Sequence, residues 1–258
     1  MPDDEIDLAD AALQLARIGE PDADWQAARA HLSELARAAA DLSAIDLDSR
    51  AAALTGLLVG RYHYVGDAET YDDLDNANMI RVIERRQGLP VALGILWLHA
   101  AHAAGWTAHG VNFPGHFLIV LSEGSEFLPI DVFAGGAPLN ATDLRELVKR
   151  ALGPNAELGA DMLAPMDTRD VLLRLQVNIK SRLLQHGQLN AAVACLEDML
   201  RFAPHEALLW QEAALLHQQL SHFTAALRCF EQLLKLSPSG AAAARARVAM
   251  RELRGRLN

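Results

Sequence analysis

The sequence predicts an α+β protein with a helical repeat tail, and three observations carry that reading. Alanine is concentrated before residue 60 and after residue 190, which favours helices at both ends. Between them a long apolar helix pattern, "PVALGILWLHAAHAAG", precedes three short runs of strand-forming residues, the order of an α+β block. Beyond residue 168 the chain repeats itself at a spacing of 34 residues.

The 258 residues carry a net charge of −10, unevenly spread. Residues 1–80 hold 17 acids against 5 bases, and residues 81–258 hold 16 against 18. An acidic surface repels nucleic-acid phosphates, so no nucleic-acid partner is expected. The opening "MPDDEIDLAD" lacks the basic and apolar regions of a signal peptide, and no window approaches 18 uninterrupted apolar residues. A cytoplasmic protein without a membrane span is expected. Two cysteines, Cys195 and Cys229, suit that compartment and are too few for a disulfide framework.

Three helices are expected near 6–18, 22–42 and 47–60, each opening after Asp residues that suit N-caps. A polar loop, "VGDAETYDDLDNAN", follows. Asn76 or Asn78 then caps a helix "MIRVIERRQ", with Gly88 at its C-terminus. Pro90 opens the apolar helix, since proline at the first helical position forfeits no hydrogen bond, and Gly105 stops it. The strands are "WTAHGVNF", "HFLIVLS" and "EFLPIDVF", separated by "PG" and "EGSE" turns. The expected domains are a helical part at 1–65, an α+β core at 66–165, and repeats at 168–258.

In the tail, Pro204 and Pro238 stand 34 apart, as do Ala192 and Ala226, Cys195 and Cys229, and Gln176 and Trp210. The segment "ALLWQEAALLHQQLSHFTAALRCFEQLLKLSP" resembles a tetratricopeptide repeat through Trp210, Ala213, Ala214, Ala226, Phe230 and Pro238, with His217 in the place of the usual tyrosine. Two repeats and a capping helix after Gly240 are expected, with both cysteines facing core. The basic run Arg245, Arg247, Arg251, Arg254 and Arg256 reads as a solvated helix face, or else as a contact site for an acidic partner.

The middle block has the order of a thiol hydrolase: a buried helix whose N-terminus would lower a thiol pKa, a histidine base, then an acid to hold the imidazole. His116, at the start of a strand, and Asp131, in "LPIDVF", fill the last two places. The stretches "NANMIRVIERRQGLPVALGILWLHAAHAAGW", "GVNFPGHFLIV" and "FLPIDVFAGG" closely resemble the SirB-like family of bacterial transglutaminase-like proteins. That resemblance implies a transglutaminase-like (papain-like) core with a tetratricopeptide-like tail, and gives His116 and Asp131 the roles of base and orienting acid. The nucleophile is missing. Where active relatives of the wider fold have Gly-x-Cys, this chain has Gly88, Leu89 and Pro90, followed by Val91 and Ala92.

A relic dyad in a non-proteolytic protein is therefore expected, acting by protein or peptide binding through its cleft and a repeat groove. Asn112, Glu84, Arg86 and Trp210 are the candidate binding residues. The alternatives are a hydrolase or amidase using His116 and Asp131 with water, and a regulator working through protein contacts. No cofactor is expected. His99, His102, His109 and His116 do not form a zinc pattern, and Asp72, Asp73 and Asp75 lack the glycine and glutamate of a calcium loop, so no metal is expected. The sequence specifies no oligomeric state.

Overall fold

The computed structural model describes residues 2–257, which divide into two compact units, Met1–Leu175 and Gln176–Asn258. The division falls inside one helix, not at the expected opening at 168.

The first unit starts with α1 (Leu8–Gly19), α2 (Trp25–Ala40) and α3 (Leu47–Thr55), the last running into a π-helical turn at Gly56–Arg61. Asp7, Asp24 and Asp46 cap them, each accepting the backbone N–H three residues on, so the orphan amides of the first turns are satisfied. Strand β1 (Val65–Gly66) follows, then α4 (Met79–Arg85) capped by Asn78.

Helix α4 does not reach Gly88. It ends at Arg86, in the left-handed region at φ 60, whose N–H still bonds Val82. Gln87–Gly88 instead form β2, pairing in parallel with β1. Gly88 is required for closeness: a Cβ there would meet Val82 at 3.0 Å and the Asn76 carbonyl at 3.3 Å. Pairing between segments so far apart in sequence leaves no local signal, which is why the sequence favours a glycine cap.

Helix α5 (Pro90–Ala103) begins at its proline as expected and is almost wholly buried. Strands β3 (Thr107–Val111), β4 (Leu118–Glu123), β5 (Glu126–Asp131) and β6 (Ala137–Pro138) form one antiparallel meander. The strands are shorter than the sequence suggests, and β6 adds an edge that it did not signal. Helix α6 (Ala141–Leu152), unforeseen, opens on a capping box between Asn140 and Asp143.

Alternation along β4 explains the layers. Leu118 and Val120, with Val111 and Phe113, pack on Leu144, Leu147 and Val148 of α6. Helix α5 packs on β3 and β4 as well. Its Gly94 and Gly110 of β3 both press on the Phe117 ring, leaving no room for a Cβ at either position.

The second unit contains the end of α7 (Thr168–Gln185), then α8 (Leu189–Phe202), α9 (Ala207–Gln219), α10 (Phe223–Leu236) and α11 (Gly240–Leu257). Small residues at the contacts, Ala192, Ala213, Ala214 and Ala226, are all fully buried and let neighbouring helices approach closely. No helix among the described residues is long and apolar enough to cross a membrane.

Candidate functional site

The site is assembled from two turns and one helix start. His116 does not open a strand: it lies two residues before β4, after the Pro114–Gly115 turn, and its N–H bonds the Phe113 carbonyl at 2.9 Å. Gly115 supplies the positive φ of 72° the turn requires, and its Cα side lies against Ala151 of α6. Phe117, held between Gly94 and Gly110, ties this turn to the first half of α5.

Asp131 ends β5. Its Oδ1 accepts the N–H of Phe133 at 3.0 Å and of Ala134 at 3.1 Å, folding the chain back after the strand. Its Oδ2 stands 4.0 Å from Nδ1 of His116, with side chains 12% and 27% exposed respectively. The two expected partners are thus brought together, but beyond hydrogen-bond length. The hydrogen bond expected of an acid that holds the imidazole is therefore not made, and the carboxylate is paired instead by the backbone amides of Phe133 and Ala134.

The start of α5 is held from behind. The Asn76 carbonyl accepts the Leu89 N–H at 2.8 Å, and Leu89 offers no side-chain cap. Asn76 is fully buried, and its Nδ2 donates to Asp67 Oδ2 at 3.1 Å and to the Thr70 carbonyl at 2.7 Å. Asp67 also accepts from Thr70 and from the Glu69 amide, and the Thr70 hydrogen bonds lead in holding its carboxyl below the usual range. Arg85 lies among Asp67, Asp73 and Asp75, so the acidic loop is clamped to α4. Phe133, just beyond Asp131, packs on Gly66 and edge-on to Tyr71. In the sequence this segment reads only as a polar loop. The only advance signal was Asn76 itself, an amide between acids and apolar residues.

Position 90 is a proline, and Val91 and Ala92 behind it are buried and carry neither hydroxyl nor thiol. Both cysteines belong to the second unit and are buried there. Burial pushes the Cys195 thiol up to about 12 and the Cys229 thiol up to about 11, far from the thiolate a nucleophile needs.

The remaining candidates are dispersed. Asn112 is exposed between β3 and the His116 turn. Glu84 is exposed and pairs with Arg81 at 2.9 Å. Arg86 points elsewhere: its guanidinium donates to the Tyr64 hydroxyl and, at 2.6 Å, to Nε2 of His31. Glu84 and Arg86 therefore do not grip one ligand together. Trp210 is spoken for, its Nε1 donating to the Pro204 carbonyl at 2.8 Å. His99 and His102 bond the carbonyls of Leu32 and Ala108 at 2.9 Å each. No group of three or more metal-ligating side chains converges among the described residues.

Comparison with known proteins agrees with this architecture. Residues 26–177 match the model of a transglutaminase-like superfamily family, and residues 179–251 match a tetratricopeptide repeat model. A UPF0162 protein of Xylella fastidiosa (strain Temecula1) is 30% identical, the match covering 92% of this chain and 86% of the relative. A UPF0162 protein of Vibrio cholerae is 28% identical over 93% of this chain and 90% of its own length. Protein SirB1 of Salmonella typhimurium is 27% identical over 67% of this chain and 64% of its own length. With its helix-backed antiparallel sheet, the His116–Asp131 apposition and a helical repeat unit following in sequence, the chain belongs to the transglutaminase-like superfamily, in the family that includes the UPF0162 proteins and SirB1.

Proposed function

We propose that this chain is a non-proteolytic transglutaminase-like protein that works by binding a protein or peptide, through the cleft beside His116 and through its repeat unit. The observation that carries the reading is Pro90 at the first position of α5, in a unit whose sequence contains no cysteine. Acyl transfer through a thioester needs a thiolate at that helix start, and a histidine base without one has nothing to activate. Asp131 still fixes the fold behind His116, so both side chains persist with a structural and ligand-facing role. The repeat unit supports a binding role, because stacked helix pairs present extended surfaces to partners.

Affinity capture on the intact protein, followed by reconstitution with the purified partner, tests this. A saturable complex that His116→Ala weakens without abolishing is expected, since the repeat unit also contributes to it. Failure to recover any reconstitutable partner, together with a turnover that His116→Ala abolishes, contradicts it.

One observation favours a second reading. His116 is over a quarter exposed and its Nδ1 stands 4.0 Å from the Asp131 carboxylate, so the ring has both access to solvent and an acid beside it. A water-using amidase or hydrolase would employ that pair.

A further inference from the structure

Charge divides the chain sharply. Residues 1–175 hold 13 bases against 27 acids, a net of −14, whereas residues 176–258 hold 10 bases against 6 acids, a net of +4. Half of those bases are the five arginines of α11, which has a single acid, Glu252.

Helix α11 has two faces. Ala243, Ala246, Met250 and Leu253 are buried on the side that packs on α10. At about 100° per residue, all four fall within about 40° of the pole opposite Val248. Val248 is 47% exposed, in a shallow hollow of about 360 Å³ lined also by Ala244, Arg245, Ala249 and Glu252. Arg245 and Arg251, three residues to either side, stand about 60° from Val248 around the helix and so flank it.

The other three arginines are occupied. Arg247 donates to the Pro238 carbonyl at 2.6 Å, Arg254 pairs with Glu231 at 3.3 Å, and Arg256 lies over the Phe223 ring at 5.8 Å. Arg245 and Arg251 have no ion pair or hydrogen bond among the described residues. An apolar spot between two uncommitted guanidiniums has a defined complement: an apolar side chain with a carboxylate on each side of it.

Building on the binding reading, we propose that the Val248 face of α11 docks an acidic segment of a partner protein, with an apolar anchor on Val248 and carboxylates at Arg245 and Arg251. A contact of this kind places the apolar anchor centrally and the charges at the rim, where they steer encounter and set salt dependence.

Peptide display against the intact protein tests it, with random peptides about four helical turns long as the probe. Enriched peptides are expected to be acidic around an apolar residue and to bind more weakly as salt rises. One purified enriched peptide should lose affinity about tenfold or more on Val248→Glu and on Arg245→Glu with Arg251→Glu. Replacing its acids by lysines should restore binding to the double glutamate variant, and unfolding temperatures should stay at wild type because all three positions are exposed. Enriched peptides that are basic or neutral, or affinity indifferent to both variants, overturn the proposal. So does a homodimer in sedimentation that Val248→Glu dissociates, since the occupant is then a second copy. Affinity that falls on His116→Ala and not on Val248→Glu moves the site to the cleft and leaves the binding reading standing. No enrichment at all removes the Val248 site and leaves the binding reading to the affinity capture.

Discussion

The backbone carbonyl of Asn76 takes the Leu89 N–H at 2.8 Å, while the Asn76 side chain holds Asp67 and the Thr70 carbonyl. One fully buried residue thus fastens the acidic loop to the residue that precedes Pro90. Asn76→Leu removes both side-chain hydrogen bonds and leaves buried acceptors behind, which costs about 2–3 kcal/mol. Asn76→Asp should cost more, because it sets a second carboxylate against Asp67. Urea unfolding of the two variants checks the order.

Removing the imidazole should be gentle. Because Asp131 keeps its two backbone amides, His116→Ala is expected to change stability by less than about 1 kcal/mol. Asp131→Ala strips both amides of their acceptor and should cost about 1–3 kcal/mol. Guanidinium unfolding of both variants distinguishes the roles.

A pH dependence follows from His31. Burial, then the neighbouring Arg86 guanidinium, lowers its pKa from 6.5 to about 4, and its Nε2 accepts from Arg86 only when unprotonated. Between pH 6.5 and 4 the unfolded chain takes up a proton that the folded protein refuses. The stability from a neutral His31 is therefore complete above 6.5, falls as pH drops toward 4, and changes no further below that. The loss is about 3 kcal/mol over the window. His109, lowered by burial, adds in the same direction. Unfolding measured from pH 7.5 to 4 should show this slope, and His31→Gln should flatten it.

Phe117 offers a packing test. A Cβ at Gly110 would stand 2.7 Å from its ring, and one at Gly94 would collide with it from the other side. Gly94→Ala should cost about 1–3 kcal/mol, and a shorter side chain at position 117 should recover part of it. Calorimetry on Gly94→Ala with and without Phe117→Leu measures the coupling.

Legibility in the sequence followed the range of the forces involved. Pro90 as a helix start, aspartates as helix caps and the 34-residue repeat are local or periodic features; Asp46 caps the third helix where it is expected, while Asp7 and Asp24 cap helices that start two and three residues later than expected. His116 and Asp131 were found by their order along the chain, and folding brings them to 4.0 Å. Contacts made across long sequence separations were hidden. Gly88 looks like a helix cap until β1 is known to pair with β2, and Arg86 looks like a ligand-gripping cation until Tyr64 and His31 close on it. Asn76 looks like a cap because its side-chain partners, Asp67 and the Thr70 carbonyl, meet it only once the loop has folded back.

The most direct measurement is turnover of amide hydrolysis and of amine transfer onto glutamine side chains by the intact protein, beside His116→Ala and the Cys195→Ser, Cys229→Ser double variant. With Pro90 where a thiolate is needed, all three should be indistinguishable from buffer. Turnover in the wild-type protein that either variant abolishes, at unchanged unfolding temperature, would contradict the account.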